Sequence, residues 1–120
     1  MSSVFHVKEH VLPCAHIRQY ARATSLSQEE ELVQHVKQYT PKDNPNPQKG
    51  DITVIGAHAN GFPKELYEPL WEELYRHLRS KGLRIRTVYI ADAAWQGQSG
   101  HLNRSKLGND PSWFDYTHDI

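Results

Sequence analysis

Apolar and polar residues alternate near the N-terminus in a way that predicts strands. Apolar residues from Val4 to Val11 alternate in part with histidine and lysine, and Pro13 ends the run. Alternation with a period of two is typical of a half-buried strand. A second short extended run is predicted at residues 17–23, so the two runs would form a hairpin or a pair of edge strands.

Residues 27–40 are compatible with two different structures. Ser27 and Glu30 have the spacing of a capping box, and the apolar residues that follow fall at helical spacing. The alternative is a half-buried strand from about residue 32 to residue 40. The apolar residues concerned are Leu32, Val33, Val36 and Tyr39. The local pattern slightly favours the helix.

The clearest pattern in the chain is a strand, a helix and a second strand. Residues 51–56 form a short apolar run rich in β-branched residues, and residues 84–91 form another. Between them the pattern predicts a helix that begins near Glu68 and ends before Gly82. Its apolar stripe consists of Tyr67, Leu70, Trp71, Leu74 and Leu78. A β-α-β unit of this kind requires parallel strands and a right-handed crossover.

Composition narrows the possible functions. The 120 residues carry 14 basic and 14 acidic side chains, so the net charge is zero. The composition therefore gives no indication of binding to nucleic acid or to an anionic membrane. No apolar run approaches the length of a membrane span. One cysteine, Cys14, favours an intracellular, reducing compartment, and the eight histidines show no spacing typical of metal ligands.

The candidate chemistry lies where the first central strand ends. The segment Gly56-Ala57-His58-Ala59-Asn60-Gly61 consists of small and polar residues and lies between that strand and the helix. Open α/β sheets bind their ligands at this kind of strand-to-helix junction.

Several segments resemble the N-terminal part of α/β-hydrolases. They are HANGF after the strand, YEPLWEEL in the helix, YIAD at the end of the next strand, and WQGQSG close behind. In that superfamily a His-Gly-x loop supplies an amide to the oxyanion hole, and Ala59 stands here where glycine is usual. WQGQSG and GNDPSWFDYTHD resemble the Asp-x-x-Gly-x-Gly-x-Ser loop and the start of the next helix.

Two longer phrases resemble a narrower group, the fungal α/β-hydrolase-domain proteins. The phrases are QYTPKDNPNPQKGDITVIGAHANGFPKELYEPLWEELY and KLGNDPSWFDYTHD. Some members of that group belong to gene clusters for polyketide-type host-selective toxins. The resemblance extends over about residues 5–120, and it implies a strand rather than a helix at residues 32–40.

The fold implied by the resemblance is α/β. It is an incomplete α/β-hydrolase sheet in which N-terminal antiparallel strands precede a β-α-β unit and the C-terminal half is lacking. The single domain would comprise hairpin strands at about residues 1–40, a proline-rich loop at 41–50, the β-α-β unit at 51–92, and a loop with the start of the next helix at 93–120.

The resemblance also assigns roles to individual residues. Asn60 aligns with the residue after His-Gly, so its backbone amide is the candidate oxyanion-hole donor; the alternative is a simple turn. Phe62 and Trp95 are candidates to line the substrate pocket, although Phe62 could equally be a core aromatic residue. The residues expected to be structural are His58, Gly61 and Asp92, and no metal ligand is predicted.

A serine hydrolase of this fold requires a nucleophile on a Gly-x-Ser-x-Gly elbow, and the 120 residues contain no such sequence. Ser99 lies in Gly97-Gln98-Ser99-Gly100, which lacks the second spacer and is expected in a loop. The resemblance therefore implies that the chain is the N-terminal portion of a serine α/β-hydrolase that uses no cofactor, and the absent elbow implies that it is inactive alone. The substrate that the resemblance implies is an acyl ester or thioester intermediate of fungal polyketide-type toxin biosynthesis.

Two other readings stay open. The chain could be a truncated, non-catalytic paralogue that serves as an interaction module or has no function, or it could be a small free-standing α/β binding domain. The second of these would leave an uncovered sheet edge. The resemblance implies peroxisomal residence, although no C-terminal signal stands in this chain, and otherwise the cytoplasm.

Overall fold

The computed structural model describes residues 4–120. Its strands and helices are β1 (Phe5–Pro13), β2 (Val33–Pro41), β3 (Ile52–Ala57), α1 (Glu68–Ser80), β4 (Ile85–Ala91), α2 (Gly97–Asn103) and α3 (Trp113–Asp119). Two short 3₁₀ helices, Ala21–Ala23 and Lys64–Tyr67, complete the regular structure.

The four strands form one sheet in the order β1-β2-β4-β3. The backbone amide of Asp92 donates to the carbonyl of His35, and the Thr87 hydroxyl donates to the carbonyl of Tyr39. Residue numbers rise along β4 as they fall along β2, so these two strands are antiparallel.

β3 and β4 begin side by side, and α1 connects them. The amide of Ile52 donates to the carbonyl of Arg84 at 2.8 Å, so the N-terminal ends of the two strands meet, as the predicted parallel pair requires. The result is a mixed four-stranded sheet with helices. The predicted α/β class is confirmed.

β2 decides between the two structures considered for residues 27–40. Residues 33–41 are a strand, so the strand that the resemblance implies at residues 32–40 is confirmed, and the helix that the local pattern slightly favoured is wrong. The capping-box residues instead stabilise a turn: the Glu30 carboxylate accepts from the amide of Leu26, and the Ser27 hydroxyl accepts from the amide of Glu29. Local capping chemistry was therefore present without the helix it usually starts.

The second predicted strand, at residues 17–23, is also wrong. Residues 21–23 form a 3₁₀ turn, and the Ile17 and Tyr20 side chains are 80% and 51% exposed. Two apolar residues that bury so little surface cannot hold a strand in a sheet. β2 takes the place beside β1 that this segment was expected to fill.

Residues 4–10 and 37–90 form one compact unit, built around the contact between α1 and the sheet. A side chain at Gly56 would lie 2.8 Å from the Trp71 ring, so only glycine lets α1 pack this closely on β3. The buried core cluster comprises Phe5, Tyr39, Trp71, Ile85, Val88 and Ile90. Leu70, predicted as part of the buried stripe, is 53% exposed, whereas Tyr75 packs edge-on against Phe5.

α1 begins and ends where the sequence predicted. It begins at Glu68 with Pro69 in its first turn, where the missing amide costs no helical hydrogen bond. It ends at Ser80, and Gly82 follows in the left-handed region at φ 76°. The amide of Leu83 then donates back into the last turn.

Residues 11–36 and 91–120 form the second compact unit, which contains α2 and α3. α3 begins at Trp113, four residues after the predicted start near Asn109, because the Ser112 hydroxyl caps it by accepting from the amide of Phe114. α2 was not predicted. It occupies part of the segment expected to be a loop.

An ion cluster inside this second unit ties residues 15–19 to α3. The Arg18 guanidinium lies 2.7 Å from the Asp119 carboxylate and 3.5 Å from that of Asp115, and these side chains are 5% exposed or less. The same two carboxylates accept from the backbone amides of Ala15 and Gln19. Backbone and side-chain donors together therefore offset the cost of burying two negative charges.

Candidate functional site

The loop that follows β3 contains four of the six residues singled out from the sequence: His58, Asn60, Gly61 and Phe62. The amide of Phe62 donates to the carbonyl of Ala59 at 3.0 Å, which closes a tight turn, and Gly61 lies at φ 79°. These contacts all lie within the first compact unit.

Tyr67 fixes the start of this loop. Its hydroxyl accepts a hydrogen bond from the backbone amide of Ala59 at 2.9 Å, and its ring stacks on Trp71 at 6.1 Å between centroids. The loop is thereby linked to the core beneath α1. The sequence placed Tyr67 in the apolar stripe, and no feature of the pattern indicated that its hydroxyl would bind a loop amide.

His58 lies inside the protein rather than at the surface. It is 2% exposed, and its Nδ1 atom is 2.9 Å from the carbonyl oxygen of Ala59. A carbonyl only accepts, so Nδ1 carries the proton in this contact. Such an arrangement fixes the ring against its own loop, and the structural role of His58 stays a prediction.

Asn60 and Phe62 lie at the exposed tip of the loop. Asn60 is exposed and Phe62 is 54% exposed. A backbone amide at such a position can donate to the oxygen of a ligand that approaches from solvent, and an exposed aromatic ring can cover the ligand's apolar part. These two roles stay predictions.

Asp92, in the second compact unit, caps helix α2 from the end of β4. One carboxylate oxygen accepts from the amides of Gln98 and Ser99, at 3.1 and 3.5 Å, and the residue is 1% exposed. A negative charge at a helix N-terminus is favourable. Gly97, at φ 53°, permits this approach, because a side chain there would lie 2.8 Å from the carboxylate.

Ser99 was expected in a loop, but it is part of α2. It is completely buried. Its hydroxyl accepts from the amide of His35 at 2.7 Å and donates to the carbonyl of Asp92 at 3.2 Å. A nucleophile must reach its substrate, so this buried serine has a structural part in the β4-α2 connection.

Asn103 stabilises the same connection and was not identified from the sequence. Its side chain accepts from the amide of Val33 and donates to the carbonyls of Val33 and Ala94, at 2.6–2.9 Å. Gly100 packs directly on the backbone of Trp95, where any side chain would lie 2.8 Å away. The backbone around Trp95 is thus held from several directions.

Trp95 belongs to an aromatic cluster of the second unit. Its ring lies 5.8 Å from that of Trp113 in an edge-to-face geometry, and Trp113 lies 5.2 Å from Tyr116. The Tyr116 hydroxyl donates to the carbonyl of Ala91, which anchors the cluster to the end of β4. Trp113 remains 44% exposed, so this cluster could contact an apolar ligand.

Cys14 is not an activated nucleophile. Burial, together with the nearby Asp119 carboxylate, raises the pKa of its thiol to about 12. The reactive form of cysteine is the thiolate, which is scarce at neutral pH when the pKa is this high. Across residues 4–120, no group of three or more His, Cys, Asp or Glu side chains is placed to hold a metal ion.

Comparison with known proteins gives close relatives and a close structural match. No protein-family model matches the chain. It is 46% identical over 119 residues to the type I acyl-CoA thioesterase mpaH of Penicillium roqueforti. It is 47% identical over 117 residues to the type I acyl-CoA thioesterase mpaH' of Penicillium brevicompactum. These alignments cover 99% and 97% of this chain but 27% and 26% of the relatives.

The peroxisomal α/β-hydrolase Lpx1 of Saccharomyces cerevisiae has the same fold over the matched region. Its TM-score is 0.82 at 19% sequence identity, and the match covers 98% of this chain and 32% of that protein. At this identity the likeness establishes the fold alone. No helix within residues 4–120 is long and apolar enough to cross a membrane.

Proposed function

Because the chain belongs to the α/β-hydrolase superfamily and is homologous to fungal acyl-CoA thioesterases, we propose that it is the N-terminal portion of a serine hydrolase that cleaves an acyl thioester. The observation that supports this proposal most strongly is the 46–47% identity, over almost the whole chain, to two type I acyl-CoA thioesterases. Since the chain spans about a quarter of the length of these relatives, the activity of the whole protein is part of the proposal.

The loop after β3 supplies this chain's contribution to the chemistry. The amide of Asn60 would donate to the oxygen that becomes negative when a nucleophile attacks the thioester carbonyl. His58, Gly61 and the Tyr67 hydroxyl would hold the loop in the conformation that presents this amide. Preorganised donors of this kind stabilise the tetrahedral intermediate because they need no rearrangement when its charge develops.

The substrate would be an acyl or polyketide-type thioester of fungal secondary metabolism. Within the first unit, Phe62 would contact its apolar part. Trp95, in the second unit, is a separate candidate for an apolar contact, and Asp92 would support the segment that carries it. No cofactor is needed for this reaction. Toxin biosynthesis and peroxisomal residence are finer proposals, carried by the same resemblance.

We expect the chain by itself to be inactive, since its 120 residues hold no Gly-x-Ser-x-Gly sequence. The test is a chimera in which this chain replaces the matched 119 residues of the Penicillium roqueforti thioesterase. Release of free thiol from an acyl-CoA is measured for the chimera, for the parent, and for this chain alone. The chimera is expected to come within about tenfold of the parent, and the chain alone to release none.

A chimera that folds, as judged by circular dichroism and a single elution peak, but cleaves no acyl-CoA would contradict the proposed function. Hydrolysis by the chain alone that disappears on Ser99→Ala would contradict the expected inactivity. Stable capture of the inactive chain by a thioesterase relative, with no gain of activity, would favour the reading as an interaction module.

A further inference from the structure

The first compact unit contains a cleft near the start of β3, whereas the Ala59–Phe62 turn follows the other end of that strand. The cleft has a volume of about 410 Å³. Its lining includes Asp43, Asn44, Tyr75, Arg79, Leu83 and Arg84. These residues come from the loop before β3, the C-terminal half of α1 and the start of β4, and the proposed hydrolysis uses none of them.

Two arginines, Arg79 and Arg84, line this cleft, and the two segments that contribute most of its lining are rich in basic residues, although the whole chain carries no net charge. Residues 42–51 and 79–86 contain six basic side chains and two acidic ones. The basic residues are Lys42, Lys49, Arg79, Lys81, Arg84 and Arg86. Clusters of one sign at a concave surface raise the local concentration of oppositely charged ligands.

Polar contacts hold two of the guanidinium groups at the cleft. Asn44, 2% exposed, donates to the Asp51 carboxylate and to the carbonyl of Ile85, and it accepts from a terminal nitrogen of Arg84. Arg79 donates to the Tyr75 hydroxyl and to Asp43. Each guanidinium carries five N–H donors in a fixed plane, so these contacts orient the groups without using all of their donors.

The same cleft offers apolar surface beside the positive charge. Leu83 is 44% exposed at its wall, and the Tyr75 ring lies beneath the Arg79 guanidinium at 5.9 Å from the ring centroid. Guanidinium planes and tyrosine rings stack on flat aromatic groups. A guanidinium group can also bind a phosphate through two parallel N–H···O hydrogen bonds. A ligand that combines a flat ring with phosphate matches both properties.

We propose that this cleft binds a nucleotide, with Arg84 and Arg79 on the phosphate and Leu83 and Tyr75 beside the base. The inference goes beyond the proposed hydrolase activity and does not depend on it. Asp43, whose carboxylate lies at the cleft, would limit the affinity by repelling the phosphate. A free nucleotide and the nucleotide end of an acyl-CoA share this chemistry.

Titration calorimetry on the purified chain tests the proposal with ADP, coenzyme A, adenosine and inorganic pyrophosphate. ADP or coenzyme A should bind, and adenosine and pyrophosphate should each bind more weakly. Arg84→Gln should weaken nucleotide binding about tenfold, because one charge-assisted contact is lost. Arg76→Gln removes the same charge from a residue paired with Glu72 and Glu73 and outside the cleft lining, and should change binding less than about twofold.

Asp43→Asn should have the opposite effect on affinity, because it removes a negative charge at the cleft, and should strengthen nucleotide binding several-fold. Arg79→Gln replaces Arg84→Gln if circular dichroism shows that the latter is unfolded. No binding of ADP or coenzyme A, equal weakening by Arg84→Gln and Arg76→Gln, or adenosine or pyrophosphate binding as tightly as ADP would overturn the proposal. Tighter binding of coenzyme A than of ADP would support it and identify acyl-CoA as the source of the nucleotide; the reverse order would support it with a free nucleotide.

Discussion

Single residues decide the backbone geometry between β4 and α2. Gly97 combines a left-handed conformation with a close approach to the Asp92 carboxylate, which caps the first turn of α2. A side chain at this position would meet both restrictions at once. Gly82 shares the first restriction alone, since it lies at φ 76° with open space around it.

Gly97→Ala should therefore destabilise the protein more than Gly82→Ala. An alanine in the left-handed region costs about 1–2 kcal/mol. At position 97, displacement of the buried Asp92 carboxylate should add about 1–3 kcal/mol. Urea unfolding followed by circular dichroism gives both free energies of unfolding, and equal losses for the two variants would refute the clash with Asp92.

The predictability of the candidate site also differs from residue to residue. The position of the Ala59–Phe62 turn followed from small residues at the end of an apolar run, a local signal. Ser99 is buried where its hydroxyl accepts from the amide of His35, a residue distant in the chain. The Ala59 amide donates to the Tyr67 hydroxyl, and no periodic pattern indicates the partner of a hydroxyl. Sequence periodicity reports which face of an element is apolar, and it does not report which polar atoms meet.

Among the elements, α3 depends on the ion cluster formed by Arg18, Asp115 and Asp119. A buried charge pair contributes little compared with an apolar replacement, yet removal of one partner leaves the other charge buried and uncompensated. The exposed pair of Arg22 with Asp110, in the same compact unit, has the same chemistry with an Arg22 side chain that is 84% exposed. It therefore provides a matched comparison.

Arg18→Met should lower the free energy of unfolding by about 3–5 kcal/mol, because two buried carboxylates lose their cation. Arg22→Met should lower it by about 0–1 kcal/mol, as for other exposed pairs. Both values come from urea or thermal unfolding of the purified variants. A similar small loss for the two substitutions would mean that the buried cluster does not hold α3 in place.

The element pattern was predictable where one segment carried its own signal. α1, β3 and β4 were placed within a few residues from apolar periodicity, proline and glycine. β2 was ambiguous because its apolar residues fit both periods, and the resemblance rather than the pattern decided it. The strand expected at residues 17–23 failed because charged contacts of Arg18, and not apolar burial, organise that segment.

At the scale of the whole molecule, the chain supplies four strands of an α/β-hydrolase sheet, with β1 and β3 as the outer strands. On β3 the Ile55 side chain is 67% exposed, whereas parallel strands in such sheets are usually covered on both faces. The relatives are about four times as long as the matched region, so they contain chain that could cover this face. The central proposal is that a complete hydrolase domain containing this chain cleaves an acyl thioester.

The most direct test is a comparison of Asn60→Pro with Asn60→Ala in the chimeric thioesterase. Proline removes the backbone amide, whereas alanine removes the side chain and keeps that amide. Asn60→Pro should lower kcat for acyl-CoA hydrolysis by about 10²–10³-fold, the effect of losing one oxyanion-hole donor. Asn60→Ala should leave kcat within a few-fold of the parent chimera, and equal kcat values for two folded variants would contradict the account.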